Sequence, residues 1–141
     1  MSGNKKYAEI QKEAGRKELR QAKGPHRDYR DDKNPGGKWY DRANAQTHAY
    51  DAVRSLRSAG GEFEELGDKR SALTCYNAAR RIAGISLRRD SDSGVEDPAL
   101  SPEDGYVKLH RALGRDREEI IEKIRELLKF TLLFGHYAQS P

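Results

Sequence analysis

The side chains best suited to acid–base, nucleophilic or metal chemistry in this sequence are four histidines and one cysteine. The histidines are His26, His48, His110 and His136. None has the short spacing to another histidine that a zinc-binding helix requires, and no second cysteine is present to complete a mixed site. Cys75 falls within an apolar helical stretch beside Tyr76, which favours an inert, buried thiol. We therefore predict that this protein is not an enzyme and has no cofactor.

Two further stretches contain residue types that bind metal ions or phosphates. The stretch 26–32 holds one histidine and three aspartates, but its mixed charge favours a solvated loop over a metal site. Residues 36–38 read Gly-Gly-Lys, without the earlier glycine, the following Ser or Thr and the preceding strand of a phosphate-binding loop. We predict no metal site and no small-molecule substrate.

Lysine and arginine are more informative, because they neutralise phosphate groups. They outnumber the acids in residues 1–42, where aromatic rings that could stack on unpaired bases are interleaved with them. Two arginine pairs follow at 80–81 and 88–89. The alternatives are a solvated helix face, a basic terminus that only aids solubility, and aromatic rings near residue 39 that cover the helical core. The residues predicted to bind nucleic acid are Lys5, Lys6, Lys12, Arg16, Lys17, Arg20, Lys38, Trp39, Arg80, Arg81, Arg88 and Arg89.

The composition limits the classes to which this protein can belong. The chain has 141 residues, of which 35% are hydrophobic and 35% charged. Globular domains average about 45–50% apolar and about 25% charged residues, so the core is lean. No apolar run is long enough to cross a membrane, and none follows the first lysines as in a secretory signal. With a single cysteine and hence no internal disulfide, we expect a cytoplasmic or other intracellular protein.

The N-terminal part, residues 1–40, is predicted to be a basic and largely extended arm. Residues 5–23 can form a weak helix with an apolar stripe of Tyr7, Ile10 and Ala14, interrupted by Gly15. Residues 24–40 contain strong turn signals and no periodicity, so we expect a long loop there.

The centre of the chain is predicted to contain two helices. Apolar residues recur at spacings of three and four over 41–66, and the glycine pair 60–61 marks either a helix end or the close approach of another helix. Gly67 predicts the end of this helix and Asp68 the cap of the next, which is expected over 69–83.

The last third is predicted to contain a linker and two more helices. Residues 84–101 are acidic and contain Ser, Gly and Pro, which indicates an exposed linker. Ser101 predicts the start of one helix, Gly114 its end, and Asp116 the cap of a final helix that runs to about residue 134. This final helix has the broadest apolar face in the chain, with Ile120, Ile121, Ile124, Leu127, Leu128 and Leu132.

No strand pattern is present, so the predicted fold class is all-α. We expect a small helical bundle over residues 41–141, interrupted by the linker at 84–101 and preceded by the basic arm at 1–40.

The helix pair at about 53–84 resembles a single tetratricopeptide repeat. The small and large residues that carry this resemblance are Val53, Leu56, Ala59, Gly60, Phe63, Ala72, Tyr76 and Ala79. Three-helix domains of the MIT type have a similar first pair, and a generic antiparallel pair with small residues at the crossing is the alternative. The resemblance implies a docking module, with Leu56, Phe63 and Tyr76 as the residues that bind a protein partner.

A second resemblance is to the small, basic, all-helical subunits of CRISPR effector complexes. Residues 49–53 and 70–81 look like helices of such subunits, in size and character only. The sequence therefore predicts a non-catalytic helical assembly subunit that docks protein subunits of a larger complex through its helix pair. The alternative is a ribonucleoprotein subunit that binds an RNA or DNA backbone without reading its sequence.

Overall fold

The computed structural model describes residue 6 and residues 9–17, 35–92 and 94–139, with side chains over 6, 9–17, 42–92 and 94–129. Within these residues the chain is helical, with turns and without strands, which confirms the all-α prediction. The described helices are α1 (9–17), α2 (Pro35–Glu65), α3 (Lys69–Asp92) and α4 (Gly105–Gln139). α3 contacts both α2 and α4, so these three form one helical bundle.

The turn between α2 and α3 forms where the sequence predicts it. Gly67 has a φ of 78°, a left-handed conformation, and its N–H donates to the Glu64 carbonyl at 3.0 Å. The Asp68 N–H donates to the Phe63 carbonyl at 2.9 Å, which completes the helix-ending motif. The Asp68 carboxylate then accepts a hydrogen bond from the Ser71 N–H at 3.1 Å and caps α3. The predicted stop and cap are confirmed.

Small residues allow α2 and α3 to pack closely. A Cβ atom added at Gly60 would lie 2.5 Å from Cε1 of the Tyr76 ring, whereas one added at Gly61 would meet nothing within 4 Å. The glycine pair therefore marks a close helix approach, through Gly60 alone, and does not end α2. The side chains buried in the core are Ala49, Ala52, Val53, Leu56, Ala59, Phe63, Ala72, Cys75, Tyr76, Ala79, Ile82, Ala83, Leu113, Ile120, Ile124 and Leu127.

α2 begins earlier than the sequence predicts. Its first residue is Pro35, so residues 35–40, expected to be part of a loop, are helical. Proline suits the first turn of a helix because its φ is already helical and it has no N–H to leave unpaired. Further along the same helix, Ala45 and Gln46 are buried. The prediction of a loop over residues 35–40 is wrong.

α3 continues through Gly84 to Asp92, so the first half of the predicted linker 84–101 is helical and that boundary is wrong. Ser86 and Asp90 are buried, which a linker would not require. Gly94 follows the end of α3, with a φ of 78° and an N–H that donates to the Ser91 carbonyl at 3.1 Å. Residues 94–104 then connect α3 to α4 through turns.

α4 is one continuous helix, whereas the sequence predicts two. Its cap is Asp104 instead of Ser101, since the Asp104 carboxylate accepts hydrogen bonds from the N–H groups of Tyr106 at 2.9 Å and Val107 at 3.4 Å. Gly114 neither ends a helix nor has a positive φ. The helix absorbs the cost of about 1 kcal/mol of an internal glycine, because Leu113 and Ile120 on either side are fully buried.

A buried polar network ties the three long helices together. Asp90 of α3 accepts hydrogen bonds from Gln46 Nε2 at 2.9 Å and from the Tyr106 hydroxyl at 2.8 Å. Gln46 Nε2 also donates to the Tyr106 carbonyl at 2.8 Å. His110 of α4 has Nδ1 at 3.1 Å from Asp90 Oδ2 and Nε2 at 3.4 Å from Glu96 Oε1. Asp90, which the sequence places in the linker, is thus a core residue with partners on α2 and α4.

α1 packs on the bundle through a face other than the predicted one. Ile10 and Ala14 of the predicted apolar stripe are exposed, and Tyr7 lies outside the described residues. Gly15 is buried instead, against Leu56 of α2. The stripe prediction is wrong for Ile10 and Ala14, because close approach of the two backbones requires the residue without a side chain.

Candidate nucleic-acid interface

A groove between α3 and α4 is lined by four arginine side chains. Arg80 and Arg81 are adjacent on α3, Arg88 lies about two turns further along the same helix, and Arg117 reaches the groove from α4. With Gly84 and Leu87 these residues line a volume of about 470 Å³. We call this feature the arginine groove. Three of its arginines belong to the set that the sequence predicts to bind nucleic acid.

The fourth arginine lies next to Gly84. A Cβ atom added at Gly84 would lie 3.6 Å from the Arg117 Nε atom, an ordinary contact distance, so Arg117 of α4 lies beside α3 at this residue. Arg117 Nε is buried and has no hydrogen-bond acceptor among the described residues. Its Nη1 atom is 3.9 Å from Glu118 Oε1, a distance typical of a weak, solvent-screened ion pair. The Arg117 side chain is 38% exposed, so its donors can still reach a ligand.

The arginine groove is poor in compensating negative charge. Arg80, Arg81 and Arg88 are exposed, and within the part of the chain that the structure describes they form no ion pair. Asp90 is next in sequence to this basic stretch, but its carboxylate accepts hydrogen bonds from Gln46 and Tyr106 inside the bundle. Four guanidinium groups with little local neutralisation create a field that attracts phosphate oxygens.

The other predicted nucleic-acid-binding residues lie elsewhere. Arg89 is half-buried and does not line the groove. Lys6 and Lys17 are exposed, Lys12 has its Nζ atom 6.0 Å from the Phe63 ring centroid, and Arg16 is 3.7 Å from Glu13. Of the cations of α1, Lys12 therefore faces α2, Arg16 pairs with its own helix, and Lys17 is exposed. The side chains of the remaining four predicted residues lie outside the described ones. These residues are Lys5, Arg20, Lys38 and Trp39.

The predicted partner-binding residues are core residues. Leu56, Phe63 and Tyr76 are buried at 1%, 0% and 2% exposure, so they pack the bundle and offer no free docking surface. The Tyr76 hydroxyl donates a hydrogen bond to the Glu64 carboxylate. Burial, and then the Glu64 carboxylate, raise the pKa of Tyr76, so this hydroxyl stays protonated. In the structure these three side chains pack within the core.

Cys75 is buried, as the sequence predicts. Its exposed fraction is 0%, and burial raises the pKa of the thiol above its usual value. A protonated, inaccessible thiol is a poor nucleophile. Among the described residues no three His, Cys, Asp or Glu side chains are arranged to hold a metal ion. The histidine and aspartates at 26–32 lie outside those residues.

Sequence reasoning missed Arg117 and the Asp90 network. Arg117 stands between acids on a helix, and only its position opposite Gly84 brings it to the α3 arginines. The available signal was Gly84 itself, a glycine in a mostly apolar stretch between two arginine pairs, because an internal glycine often marks the close approach of another group. Asp90 carries no sequence signal of burial, because its partners are distant in the chain.

Comparison of the chain with protein-family models, with curated proteins and with solved structures gives no match. Over the described residues, no helix combines the length and apolar character needed to cross a membrane.

Proposed function

We propose that this protein is a non-catalytic helical subunit that binds the phosphate backbone of a nucleic acid through the arginine groove. The observation that carries the proposal is the convergence of Arg80, Arg81, Arg88 and Arg117 on one groove with little compensating charge. Arginine donates to phosphate oxygens in a fork geometry and is always charged, so it suits backbone binding that depends little on base identity.

Backbone binding is a better proposal than protein docking through the helix pair. The three side chains expected to dock a partner are buried within the bundle, whereas three of the four arginines in the groove are exposed. The sequence resemblance to small helical subunits of CRISPR effector complexes favours the same class, a subunit held in a ribonucleoprotein assembly. We do not propose that the protein distinguishes between bases, because the groove is lined by cations in place of a shaped polar pocket.

The test compares two variants of the full chain that each lose two positive charges. Arg81→Ala with Arg88→Ala removes charge from the arginine groove. Arg70→Ala with Arg115→Ala is the matched control, because both residues are exposed and neither lines the groove. Binding of a fluorescently labelled single-stranded RNA of mixed sequence is measured by anisotropy over a range of salt concentrations.

We expect the groove variant to bind roughly tenfold or more weakly than the native chain, with the control close to native. The slope of log K against log salt should fall in magnitude by about 1.4 in the groove variant, since each contact to a single strand contributes about 0.7. Equal losses in the two variants would assign the binding to net charge alone. Absence of binding by the native chain at low salt would refute the proposal.

A further inference from the structure

An exposed serine lies at the end of α3, three residues beyond an arginine of the groove. Ser91 is in the last turn of α3, which ends at Asp92, and both side chains are exposed. Arg88 and Arg89 precede the serine at the third and second positions upstream. No other serine or threonine in the sequence has arginine at both of these positions. Ser91 is therefore the one hydroxyl in the chain with two guanidinium groups at this spacing.

This spacing suits a protein kinase that selects arginine upstream of its target hydroxyl. Such a kinase recognises the two guanidinium groups through carboxylates beside its catalytic centre. The Ser91 Oγ atom would attack the γ-phosphorus of ATP, forming an O–P bond while the bond from that phosphorus to the β,γ-bridging oxygen breaks. ADP leaves, and the hydroxyl proton passes to a carboxylate of the kinase.

The surroundings of Ser91 leave its hydroxyl accessible. The hydroxyl donates to the exposed Glu96 carboxylate at 2.9 Å, and a surface hydrogen bond of this kind contributes only about 1 kcal/mol. Over residues 94–99, which follow Ser91, only Val95 is buried. Helix ends are also the parts of a helix that open most readily. Opening the last turn of α3 is therefore enough to present Ser91 to a kinase.

A phosphate on Ser91 would have acids on one side and an arginine of the groove on the other. Residues three apart on a helix surface are neighbours, with about 5–6 Å between their Cβ atoms. Ser91 and Arg88 are such a pair, and Arg88 lines the arginine groove. Asp92 and Glu96 repel a phosphate, which carries a charge of about −1.5 to −2. The carboxyl end of a helix also disfavours negative charge. The phosphate is therefore driven toward Arg88.

We propose that Ser91 is a phosphorylation site and that its phosphate regulates the arginine groove by neutralising Arg88. Arg88 is exposed and forms no ion pair among the described residues, so its guanidinium can receive the phosphate. A phosphate held there competes with a nucleic-acid phosphate for the same donors. The regulation rests on the proposed function of the groove, whereas the modification of Ser91 and the contact with Arg88 do not.

The first test asks whether the folded chain is a substrate. The full chain is incubated with magnesium, ATP and the catalytic subunit of cyclic-AMP-dependent protein kinase, and its phosphate is located by mass spectrometry. Ser91→Ala removes the target, and Ser101→Ala is the matched control, because Ser101 is exposed but has no arginine at these two positions. We expect one phosphate on the native chain and on Ser101→Ala, and none on Ser91→Ala. An unmodified native chain, or a phosphate retained in Ser91→Ala, would overturn the site.

The second test asks whether the modification occurs in the cells that make the protein. The chain is purified from its native source with phosphatase inhibitors, and the peptide that contains Ser91 is analysed by mass spectrometry. We expect a phosphorylated fraction that disappears after phosphatase treatment. A peptide without phosphate at every growth stage sampled would overturn the proposal.

The third test measures the contact with Arg88 in the absence of nucleic acid. Phosphoserine is incorporated at residue 91 during translation, so that the variants do not depend on kinase recognition. Phosphorus nuclear magnetic resonance then follows the second ionisation of the phosphate. We expect this ionisation at a pH lower by about half a unit or more than in Arg88→Gln, because a nearby guanidinium favours the dianion. Arg70→Gln, near the other end of α3, should leave it unchanged. Equal values in all three chains would overturn the contact.

The fourth test measures the effect on the arginine groove. The labelled single-stranded RNA should bind the chain with phosphoserine at residue 91 roughly tenfold more weakly than the unmodified chain. Phosphoserine at residue 101 is the control of equal charge, since Ser101 does not line the groove, and should change binding less than about twofold. Equal affinities of the chains modified at 91 and 101 would overturn the regulation and leave the groove standing. RNA binding by none of the chains would refute the proposed function and its regulation, while the first three tests decide the modification.

Discussion

One glycine opposite one aromatic ring determines how closely α2 and α3 approach. The Tyr76 ring occupies the space that a side chain at residue 60 would need, and the ring is held by burial and by its hydroxyl bond to Glu64. The adjacent Gly61 has no such neighbour. Two glycines with the same local sequence context therefore have different roles, which only their tertiary contacts distinguish.

The glycine pair provides a matched prediction for stability. Gly60→Ala should destabilise the protein by about 1–3 kcal/mol, because the new Cβ would overlap the Tyr76 ring. Gly61→Ala should stabilise it by about 0.5–1 kcal/mol, because alanine favours the helix and the position is open. Urea denaturation of the two variants measures both free energies of unfolding. Similar changes in the two variants would contradict the close approach at residue 60.

At the same scale, a single guanidinium changes the character of a surface. Without Arg117 the three groove arginines of α3 would be one side of an ordinary basic helix. Arg117 lies beside Gly84 and adds a cation from α4 to the groove, so a bound anion can be contacted from two helices. This is the structural reason for proposing a binding groove in place of a solvated face.

At the scale of elements, the continuity of α4 departs most from sequence expectation. The sequence around residues 114–116 has the glycine and the acid of a helix boundary, yet α4 runs through it from Gly105 to Gln139. Leu113 and Ile120 are buried against the rest of the bundle, and burial of such side chains contributes about 1.5–3 kcal/mol each. That contribution exceeds the intrinsic preference of glycine for a helix end.

Continuity of α4 predicts that Gly114→Ala stabilises the protein. A Cβ atom there would meet nothing within 4 Å, so the substitution should add up to about 1 kcal/mol of helix propensity. Thermal or urea unfolding measures the change. A helix end at residue 114, with glycine in a left-handed conformation, would instead make alanine destabilising.

At the scale of the whole molecule, the Asp90 network joins α2, α3 and α4 at one end of the core. Asp90 is 2% exposed and its carboxylate satisfies donors from Gln46 and Tyr106. Removing the carboxylate would leave those donors buried without an acceptor. The network therefore joins the three helices beside a second, small apolar cluster formed by Val95, Tyr106 and Val107.

Asp90→Ala should lower the free energy of unfolding by about 2–4 kcal/mol, because it leaves buried polar groups unpaired. Asp92→Ala is the control, since Asp92 is an exposed acid on the last turn of the same helix and should change stability by less than about 0.5 kcal/mol. Urea denaturation compares the two variants. Equal effects would mean that Asp90 acts only through its charge at the end of α3.

The sequence by itself determined the fold class, the α2–α3 turn and the buried thiol. These features depend on local chemistry: apolar spacing predicts helices, and Gly67 with Asp68 provides the left-handed residue and the cap that the turn requires. The arginine pairs at 80–81 and 88–89 were also identified from the sequence, although the sequence placed the second pair in the linker after the helix.

Only the tertiary structure decided the bounds of the helices and which side chains meet. α3 passes Gly84 and α4 passes Gly114 because burial at distant contacts outweighs local propensity. Arg117 and Asp90 gain their roles from partners on other helices, which no local pattern encodes. Leu56, Phe63 and Tyr76 have the pattern of a docking face, but packing within the same chain covers them first. A periodic pattern predicts that a face is covered, whereas the identity of what covers it depends on contacts between distant parts of the chain.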